Sequence, residues 1–516
     1  MSGPVPTVAA LQDIYTNQAL ADQGVRWNRL LEKFQATYGS PAQFVARSPG
    51  RVNIIGEHID YSLYSCLPMG ITPDVIIAVS TDVSPAVEGT YKVEVANVDA
   101  TRFPTREFDI PYSGVEIDAT NHDWTNYFKC GLRGALELLQ KKHGSDFKPT
   151  SIRVLMDGTV PAGGGLSSSA AFVSTSALAV MVANGEKDID KKELTEVAIV
   201  SERAVGVNSG GMDQSASVFS ERGSALLVSF TPSLSARPVF FPKTDPELCF
   251  MVVQSFVTSN KQVTGPIHYN LRVVECSMAA DYLNTKLCPA GTKLPKDAGP
   301  LGVSLRGFHD NYFKGSEKSM VEQLNELIEL TKKTLTQEQG YTVEEVASGI
   351  GISVDELKSR YMSSFPVRGE YFKLRQRALH VFTEALRVLS FLSLLETPSQ
   401  APNSTNSIEY NQQLGKLMNE TQDSCRDLYE CSCPEIDDIC QIVRDAGSYG
   451  SRLTGAGWGG CSVHLVPADK VDQIKSALIE KYYSKRQISD QDMEGAIIVS
   501  RPMNGSAIYM VDGAVV

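Results

Sequence analysis

Four short segments carry residues that could do chemistry together, although they lie far apart in the sequence. They are a polar segment at 47–61 (RSPGRVNIIGEHIDY), a Gly/Ser-rich loop at 161–172 (PAGGGLSSSAAF), the run GGMDQ at 210–214 and a glycine-rich turn at 452–465 (RLTGAGWGGCSVHL). Together they offer backbone amides for an anion, oxygen ligands for a cation and many groups that could bind hydroxyls. This combination indicates a site for phosphoryl transfer.

The Gly/Ser-rich loop has the features of a phosphate-binding loop. It stands between an apolar strand-like segment and an apolar helix-like segment, which argues against a flexible linker. The glycines Gly163 to Gly165 let the backbone approach a ligand closely. The N-terminus of the following helix offers N–H groups to an anion, and the hydroxyls of Ser167 to Ser169 could bind phosphate oxygens or magnesium. The Walker motif G-x-x-x-x-G-K-[ST] is absent from the sequence.

The glycine-rich turn formally fits the dinucleotide fingerprint G-x-G-x-x-G at 455–460 (GAGWGG). An alternating segment, CSVHLV, follows it instead of a helix, so the fingerprint lacks the context that dinucleotide binding requires. The pattern predicts a tight turn that allows close approach of backbones. We favour a position that lines the site, with a purely structural turn as the alternative.

Two carboxylates could serve the acceptor and a metal ion. Asp213 follows two glycines, where a lone aspartate is usually a turn or cap residue. Glu202 lies eleven residues upstream on a predicted helix. The pair therefore offers one carboxylate for magnesium and a second for an acceptor hydroxyl.

The polar segment packs Arg51, Glu57, His58 and Asp60 into ten residues beside a strand that reads as buried. Surface salt bridges are the ordinary interpretation of such charges. Convergent polar groups are also what a sugar requires, because each buried hydroxyl left unpaired costs about 1–3 kcal/mol. We therefore expect this segment to bind a polyol.

Composition limits the classes of function. The chain has 516 residues and a net charge of −12, which argues against nucleic acid or an anionic membrane as the main partner. The N-terminus has no signal-peptide pattern, and no stretch reaches the ~18 apolar residues of a membrane span. Ten scattered cysteines, four of them at 425–440, favour buried reduced thiols over a zinc site. We expect a cytoplasmic protein.

The periodicity of apolar residues predicts a mixture of strands and helices. The segment 43–61 reads as strand, tight turn and strand, and TVEEVASGIGISVDEL at 342–357 reads as two capped helices. Other predicted helices cover 25–38, 124–144, 170–184, 191–207, 269–283 and 372–395. This mixture predicts an α+β protein with an N-terminal domain at 25–245 and a C-terminal domain at 246–516, the latter with a helical insertion at about 288–366.

The motifs resemble those of the galactokinase branch of the GHMP small-molecule kinases. GRVNIIGEHIDY looks like the sugar signature of that branch, GGGLSSSAA like the phosphate loop of the superfamily and RLTGAGWGGC like its third motif. YNLRVVE, WTNYFKCG and LYECSCPEID are similar to eukaryotic, particularly fungal, members. The resemblance implies a ribosomal-S5-like N-terminal domain, a ferredoxin-like C-terminal domain, and transfer of the γ-phosphoryl group of ATP, with magnesium, to the anomeric C1 hydroxyl of α-D-galactose.

The resemblance also implies roles for individual residues. Asp213 corresponds to the catalytic aspartate and Arg51 to the arginine beside it. Positions that contact the sugar are Glu57, His58, Asp60, Gly210 and Tyr269. The triphosphate is held by Gly163, Gly164, Gly165, Leu166, Ser167, Ser168 and Ser169. The magnesium ligands are Ser168 or Ser169 together with Glu202, and the adenine pocket takes Trp124, Asn126 and Tyr127.

The catalytic role of Asp213 contains a tension. A neighbouring arginine favours the ionised carboxylate and makes it a weak base. Our hypothesis is that Asp213 orients the hydroxyl and accepts its proton late, while Arg51 stabilises charge on the transferred group.

Two alternative functions share these motifs. An N-acetylgalactosamine kinase differs in the space around C2 of the sugar, and Tyr269 favours galactose because that other branch tends to have phenylalanine. A catalytically silent sensor would bind galactose and ATP and act on a transcriptional repressor. The complete run Ser167 to Ala171 favours an enzyme, because silent members are expected to lack residues in that loop. We expect a monomer, with a repressor as partner only if the enzyme also signals.

Overall fold

The computed structural model describes residues 3–85, 87–118, 121, 123–144, 146–161, 163–202, 210–258, 264–397 and 407–511. Its largest sheet has seven strands in the order β1-β13-β2-β3-β6-β4-β5. These strands are β1 Thr7–Val8, β2 Phe44–Ile55, β3 Leu67–Ser80, β4 Thr90–Asn97, β5 Arg106–Pro111, β6 Ile152–Gly158 and, at the end of the chain, β13 Ala507–Met510. A separate hairpin pairs β7 Ser224–Ser229 with β8 Ser235–Phe240.

Strand β2 carries the polar segment through the centre of this sheet, and every one of its residues is buried. The predicted tight turn within 43–61 is wrong, because the chain continues as one strand. Its pairing with β3 shifts register between Pro49 and Arg51, where one residue of β2 stands opposite residues 71–73 of β3. The extra residues therefore lie on β3 and include Pro73, which lacks the N–H that a regular ladder needs.

Helices lie on both sides of the first sheet: the first packs against Val45, Ile76 and Leu155 on one face, and the other four lie on the opposite side. They are α1 Leu20–Tyr38, α2 Asn126–His143, α3 Ser168–Ala183, α4 Lys191–Glu202 and α5 Met212–Phe219. Helix α3 is buried over most of its circumference, as its apolar sequence predicts. A Cβ atom on Gly131 of α2 would lie 2.7 Å from the carbonyl oxygen of Val173 on α3, so this glycine permits close packing of the two helices. The predicted helix 191–207 is seen to Glu202, and its last residues lie outside the described part.

The second sheet has the order β10-β11-β9-β12, and all of its pairs are antiparallel. Its strands are β9 Leu248–Gln254, β10 Gly450–Thr454, β11 Cys461–Pro467 and β12 Ile497–Ser500. Counted along the chain, this is the order 2-3-1-4, the arrangement of a ferredoxin-like sheet. The α+β class predicted from the sequence is confirmed.

Most of the second half of the chain is helical. The helices are α6 Tyr269–Leu287, α7 Leu305–Tyr312, α8 Met320–Thr334, α9 Val343–Ile350, α10 Val354–Tyr361, α11 Leu374–Glu396, α12 Ser407–Asp427, α13 Pro434–Asp445, α14 Val471–Lys481 and α15 Asp490–Glu494. The two predicted capped helices are confirmed as α9 and α10. Thr342 and Glu345 form a capping box on α9, and the hydroxyl of Ser353 accepts a hydrogen bond from the Glu356 amide on α10.

The end of the chain differs from the boundary drawn at residue 246. Strand β13 belongs to the first sheet and not to the second. It pairs antiparallel with β2, with Ala507 opposite Arg47. The predicted C-terminal domain 246–516 therefore gives its last strand to the first sheet. Four consecutive residues could not signal this pairing, because a short alternating strand fits either sheet.

One described helix, α11, is long and apolar enough to span a membrane by length and composition, with a mean hydropathy of 1.5 in its most apolar window. Half of that window is buried inside the protein. A helix in the core of a globular fold has the same features, so this is weak evidence for a membrane span.

Candidate active site

The phosphate loop presents an open helix end. Gly163 and Gly165 have φ values of 73°, and Ser167 has φ of 57°, so the loop turns through left-handed conformations before α3 begins at Ser168. The N-cap residue Ser167 makes no side-chain cap, and its buried hydroxyl oxygen has no hydrogen-bond partner in the protein. Such an unpaired buried group calls for a ligand or water. Ser168 and Ser169 are half-buried beside it.

The glycine-rich turn packs backbone to backbone against this loop. Gly455 and Gly460 have φ values of 89° and 73°. A Cβ atom on Gly455 would lie 2.3 Å from the carbonyl oxygen of Gly165, and one on Gly460 would lie 3.0 Å from that of Gly164. The turn therefore lines the site, as we favoured from the sequence, and strand β11 follows it in place of a helix.

Arg51 joins the loop to Asp213. Its Nε donates to Asp213 Oδ1 at 2.8 Å, and its Nη1 donates to the carbonyl oxygen of Gly165 at 2.6 Å. The shift in register between Pro49 and Arg51 precedes this arginine, and Ser217 Oγ on α5 donates to the Pro49 carbonyl oxygen at 2.6 Å. The arginine side chain is 4% exposed and that of Asp213 is 23% exposed. A carboxyl group held by a buried arginine thus stands beside the phosphate loop.

Asp60, Gly210 and Tyr269 come together next to this pair. The Gly210 amide donates to Asp60 Oδ2 at 3.2 Å, and a Cβ atom on Gly210 would lie 2.5 Å from the same oxygen. Burial, and then the charges of Asp60 and Asp213, raise the pKa of Tyr269, which places its phenol near both carboxylates. Burial and the neighbouring Asp213 raise the pKa of Asp60 to about 6.

Glu57 is held by the glycine-rich turn. Its Oε2 accepts hydrogen bonds from Arg452 Nη2 and from the Gly455 amide, the latter at 3.1 Å. Both side chains of the ion pair are buried, with 3% of Glu57 and none of Arg452 exposed. Arg452 Nη1 also donates to the carbonyl oxygen of Asn53 at 2.8 Å. The third motif therefore fixes the orientation of Glu57.

His58 lies in an aromatic cluster under the same turn. Its Nε2 donates to the carbonyl oxygen of Ala456 at 3.1 Å, so its Nδ1, 3.0 Å from Tyr61 Oη, can accept from that phenol. The rings of His58 and Tyr269 have centroids 5.7 Å apart. Tyr61 is in turn 2.6 Å from Tyr429 Oη. These contacts fix the imidazole at the base of the site.

Glu202 ends α4 and is 2% exposed, and Gln214 Nε2 donates to its carboxylate. Burial, and then the Glu202 charge, raise the pKa of Tyr127, which places that phenol near the carboxylate. Among the described residues no group of three His, Cys, Asp or Glu side chains could hold a metal.

The three residues predicted to bind adenine differ in their contacts: one packs against an aromatic ring, and the other two donate hydrogen bonds to backbone carbonyl oxygens. Tyr127 packs on Phe172 of α3, with ring centroids 6.2 Å apart. Asn126 is buried, and its amide nitrogen donates to the carbonyl oxygens of Asp118 and Asn121 at 3.0 and 2.7 Å. Its side chain thus holds its own loop. Trp124 Nε1 donates to the Pro104 carbonyl oxygen at 3.0 Å.

The structure thus brings the predicted sugar and catalytic residues to one place, beside the phosphate loop. Sequence reasoning missed several partners that hold them, namely Arg452, Tyr61, Tyr429, His380 and Glu384. The last two had a signal, because they are ionisable residues four apart on the buried face of α11. The four cysteines at 425–440 are free thiols, three of them buried, as expected from the sequence.

Known proteins match this chain in sequence and in fold. The model of the galactokinase galactose-binding signature matches residues 32–81. The family model of the GHMP kinase N-terminal domain matches residues 126–221, and the model of the C-terminal region matches residues 409–485. The crystal structure of Lactococcus lactis galactokinase complexed with galactose has a TM-score of 0.64 at 22% identity, covering 93% of this chain and 99% of that one. Fold and motifs together define a kinase of the GHMP class.

Curated relatives narrow the class to one family. The galactokinase of Candida parapsilosis is 42% identical over 94% of this chain and 95% of its own length. That of Saccharomyces cerevisiae is 42% identical over 93% and 94% of the two chains, and that of Schizosaccharomyces pombe is 38% identical over 98% and 99%. The chain belongs to the galactokinase family.

Proposed function

We propose that this protein transfers the γ-phosphoryl group of ATP to the anomeric C1 hydroxyl of α-D-galactose and forms galactose 1-phosphate, the first step of galactose catabolism. The observation that carries the proposal is the bridge from Asp213 through Arg51 to the carbonyl oxygen of Gly165. It ties the residue that would hold the acceptor hydroxyl to the loop that would hold the phosphates. Positioning of this kind supplies most of the rate of phosphoryl transfer.

Asp213 orients the C1 hydroxyl and accepts its proton late in the reaction. Arg51 binds Asp213 Oδ1, which fixes the orientation of the carboxylate. Arg51 also places positive charge beside Gly165, where negative charge spreads over the transferred group. Asp60, Glu57, His58, Gly210 and Tyr269 bind the sugar around this pair.

The open N-terminus of α3 and the glycines at 163–165 bind the triphosphate. Ser168 or Ser169 and the carboxylate of Glu202 would hold a magnesium ion, which when bound neutralises phosphate charge. The unpaired hydroxyl of Ser167 is placed to donate to a phosphate oxygen. Trp124, Asn126 and Tyr127 stay a proposal for the adenine pocket, where Tyr127 of α2, which packs against Phe172 of α3, has the strongest support.

The protein acts in the cytoplasm as a monomer, with galactose and ATP as its partners and without nucleic acid or a membrane. We keep N-acetylgalactosamine as the second candidate acceptor because, within the sequence motifs, only the hydroxyl of Tyr269 distinguishes the two kinases. ATP consumption should be measured with each sugar in turn, with magnesium present. Turnover on galactose alone supports the proposal, and turnover mainly on the acetylated sugar contradicts it. Binding of galactose and ATP without turnover indicates a sensor.

The close contact between the glycine-rich turn and the phosphate loop predicts that Gly455→Ala weakens ATP binding. The new Cβ would meet Gly165 O at 2.3 Å and the residue has φ of 89°, so the loop must shift. Strain of this kind costs about 1–3 kcal/mol, and we expect the KM for ATP to rise about tenfold or more. Gly447→Ala is the matched control, because Gly447 also has positive φ but its Cβ would meet nothing closer than 3.8 Å. Equal KM values for the two variants would contradict the prediction.

The environment of Asp60 predicts a pH dependence of sugar use. Burial and Asp213 raise the pKa of Asp60 to about 6, so the carboxylate that accepts hydrogen bonds from sugar hydroxyls is lost as the pH falls through that value. We expect kcat/KM for galactose to fall about tenfold per pH unit below 6. Asp60→Asn should be weaker throughout and should lack this limb. An unchanged limb in the variant would assign it to another group.

A further inference from the structure

The turn at 56–58 of the sugar signature has an unusual backbone. Gly56 has φ of 102°, and His58 has φ of 60°, a left-handed value that is uncommon for any residue but glycine. Between them, the Glu57 side chain turns towards Arg452. A non-glycine residue in this region costs of order 1–3 kcal/mol and persists only where its surroundings over-determine it. The neighbours that hold this turn therefore bear directly on the sugar site.

Glu384 of α11 binds the backbone amides of this turn. Its Oε1 accepts hydrogen bonds from the amides of Gly56 and Glu57 at 2.7 and 3.1 Å. Its Oε2 accepts from Arg387 Nε at 2.8 Å and from Thr421 Oγ1 at 2.9 Å. The side chain is fully buried. Burial opposes ionisation, yet the charges of Arg387 and Arg452 and the hydrogen bond from the Gly56 amide lower the pKa of Glu384 to about 2, so it is an anion.

His380, one helical turn earlier on α11, holds the other side of the same peptide. Its Nε2 is 3.0 Å from the carbonyl oxygen of Glu57, which can only accept, so Nε2 donates. Its Nδ1 then accepts from Ser424 Oγ at 2.9 Å. Burial lowers the pKa of His380 to about 3, so the ring is neutral with one N–H. Both the amide and the carbonyl of Glu57 are thus bound by α11.

We propose that Glu384 and His380 are positioning residues of the sugar site, which fix the Gly56–His58 turn so that Glu57 and His58 face the substrate. They act through the backbone and do not touch the sugar. The inference rests on the proposed function, because it concerns the binding of galactose. It makes helix α11 part of the acceptor site, although the helix belongs to the second half of the chain.

The contacts favour positioning over a purely structural role. A buried ion pair adds little net stability over well-packed apolar residues, and the rest of the buried face of α11 is largely apolar, with Ala378, Val381 and Phe382. One carboxylate oxygen of Glu384 accepts hydrogen bonds from two successive amides of the same turn. That geometry selects one conformation of the turn, and so one orientation of the groups it carries.

The variant Glu384→Gln tests the proposal with little change in volume. A glutamine amide has one oxygen and one NH2 group, so it must present donors either to the two turn amides or to Arg387 and Thr421. We expect the KM for galactose to rise about tenfold or more, by analogy with the 1–3 kcal/mol cost of an unpaired buried group, while the KM for ATP changes less than about threefold. Unequal effects on the two substrates are a result that general destabilisation does not give.

The matched control is Glu275→Gln. Glu275 is also a buried glutamate that accepts from a backbone amide, that of Lys373 at 2.7 Å, and from Arg377 Nε at 2.7 Å. Within the described part of the chain, its hydrogen bonds go to Arg272, Lys373 and Arg377 and not to the turn. We expect it to lower the melting temperature without separating the two KM values. If Glu384→Gln gives the same pattern as this control, the positioning role is wrong.

A second pair of variants covers the case in which Glu384→Gln does not fold. His380→Gln can still donate to the Glu57 carbonyl and accept from Ser424, whereas His380→Leu can do neither. We expect the leucine variant to raise the KM for galactose and the glutamine variant to restore most of the loss. Equal KM values for the pair would overturn the proposal. Absence of turnover on galactose by the unmodified protein would refute the proposed function instead, so the two failures are distinct.

Discussion

Replacing Asp213 with asparagine or alanine lowers turnover by orders of magnitude while galactose still binds. The loss of a positioned proton acceptor typically costs about 10²–10⁴-fold in rate, and Asp213 is the carboxylate bound to Arg51 beside the phosphate loop. The asparagine variant keeps an oxygen that can accept from Arg51, so it tests the charge without a cavity. The measurements are kcat with galactose and ATP, and the dissociation constant of galactose by calorimetry.

Asp157→Asn is the control for this prediction. Asp157 is also bound to an arginine, with Arg26 Nε 3.3 Å from its Oδ2, but it lies at the end of β6, where no predicted site residue contacts it. We expect its kcat to stay within about twofold of the unmodified protein. Near-normal turnover in Asp213→Asn would remove Asp213 from the mechanism and leave Arg51 as the central residue.

The second large effect is expected on stability, from Arg452→Met. Arg452 is fully buried, and its loss leaves the carboxylate of Glu57 buried without its cation. Breaking such a pair from one side costs about 3–5 kcal/mol. We expect the free energy of unfolding in urea to fall by this amount, and the KM for galactose to rise because Glu57 loses its orientation.

A double variant separates the unpaired charge from lost packing. Glu57→Gln combined with Arg452→Met removes both charges, so it should be more stable than Arg452→Met alone. The coupling free energy of the cycle measures the pair. Galactose binding should stay weak in the double variant because Glu57 itself contacts the sugar in our account. Additive losses of stability, without recovery, would show that the two side chains do not depend on each other.

The parts of this site that could be predicted from the sequence are those whose conformation is determined by residues close together in the chain. A run of glycines and serines before an apolar helix predicts an open helix end, and the structure has it at Ser167. Likewise, four glycines and a following alternating segment predict a tight turn and a strand, found at 455–467. Each of these features depends on the conformational preferences of neighbouring residues.

The parts that could not be predicted depend on partners distant in the chain. In the sequence, Glu57 cannot be distinguished from any other charged residue. Its partner Arg452, which binds its carboxylate, lies 395 positions later in the chain. Pro49 and Gly50 predicted a turn because these residue types favour turns, and only the pairing of β2 with β3 shows that they lie within a strand. The position of strand β13 in the first sheet could not be predicted for the same reason, because its partner β2 lies near the other end of the sequence.

The most direct test of the account is the structure of the product. Purified protein should be incubated with galactose, ATP and magnesium, and the phosphorylated sugar examined by ³¹P and ¹H NMR spectroscopy. We predict a single sugar phosphate in which phosphorus couples to the anomeric proton of the α form, formed in equal amount to ADP. Phosphate on another hydroxyl, or ADP formed with free phosphate and unmodified galactose, would contradict the assignment of Asp213 and Arg51 to transfer at C1.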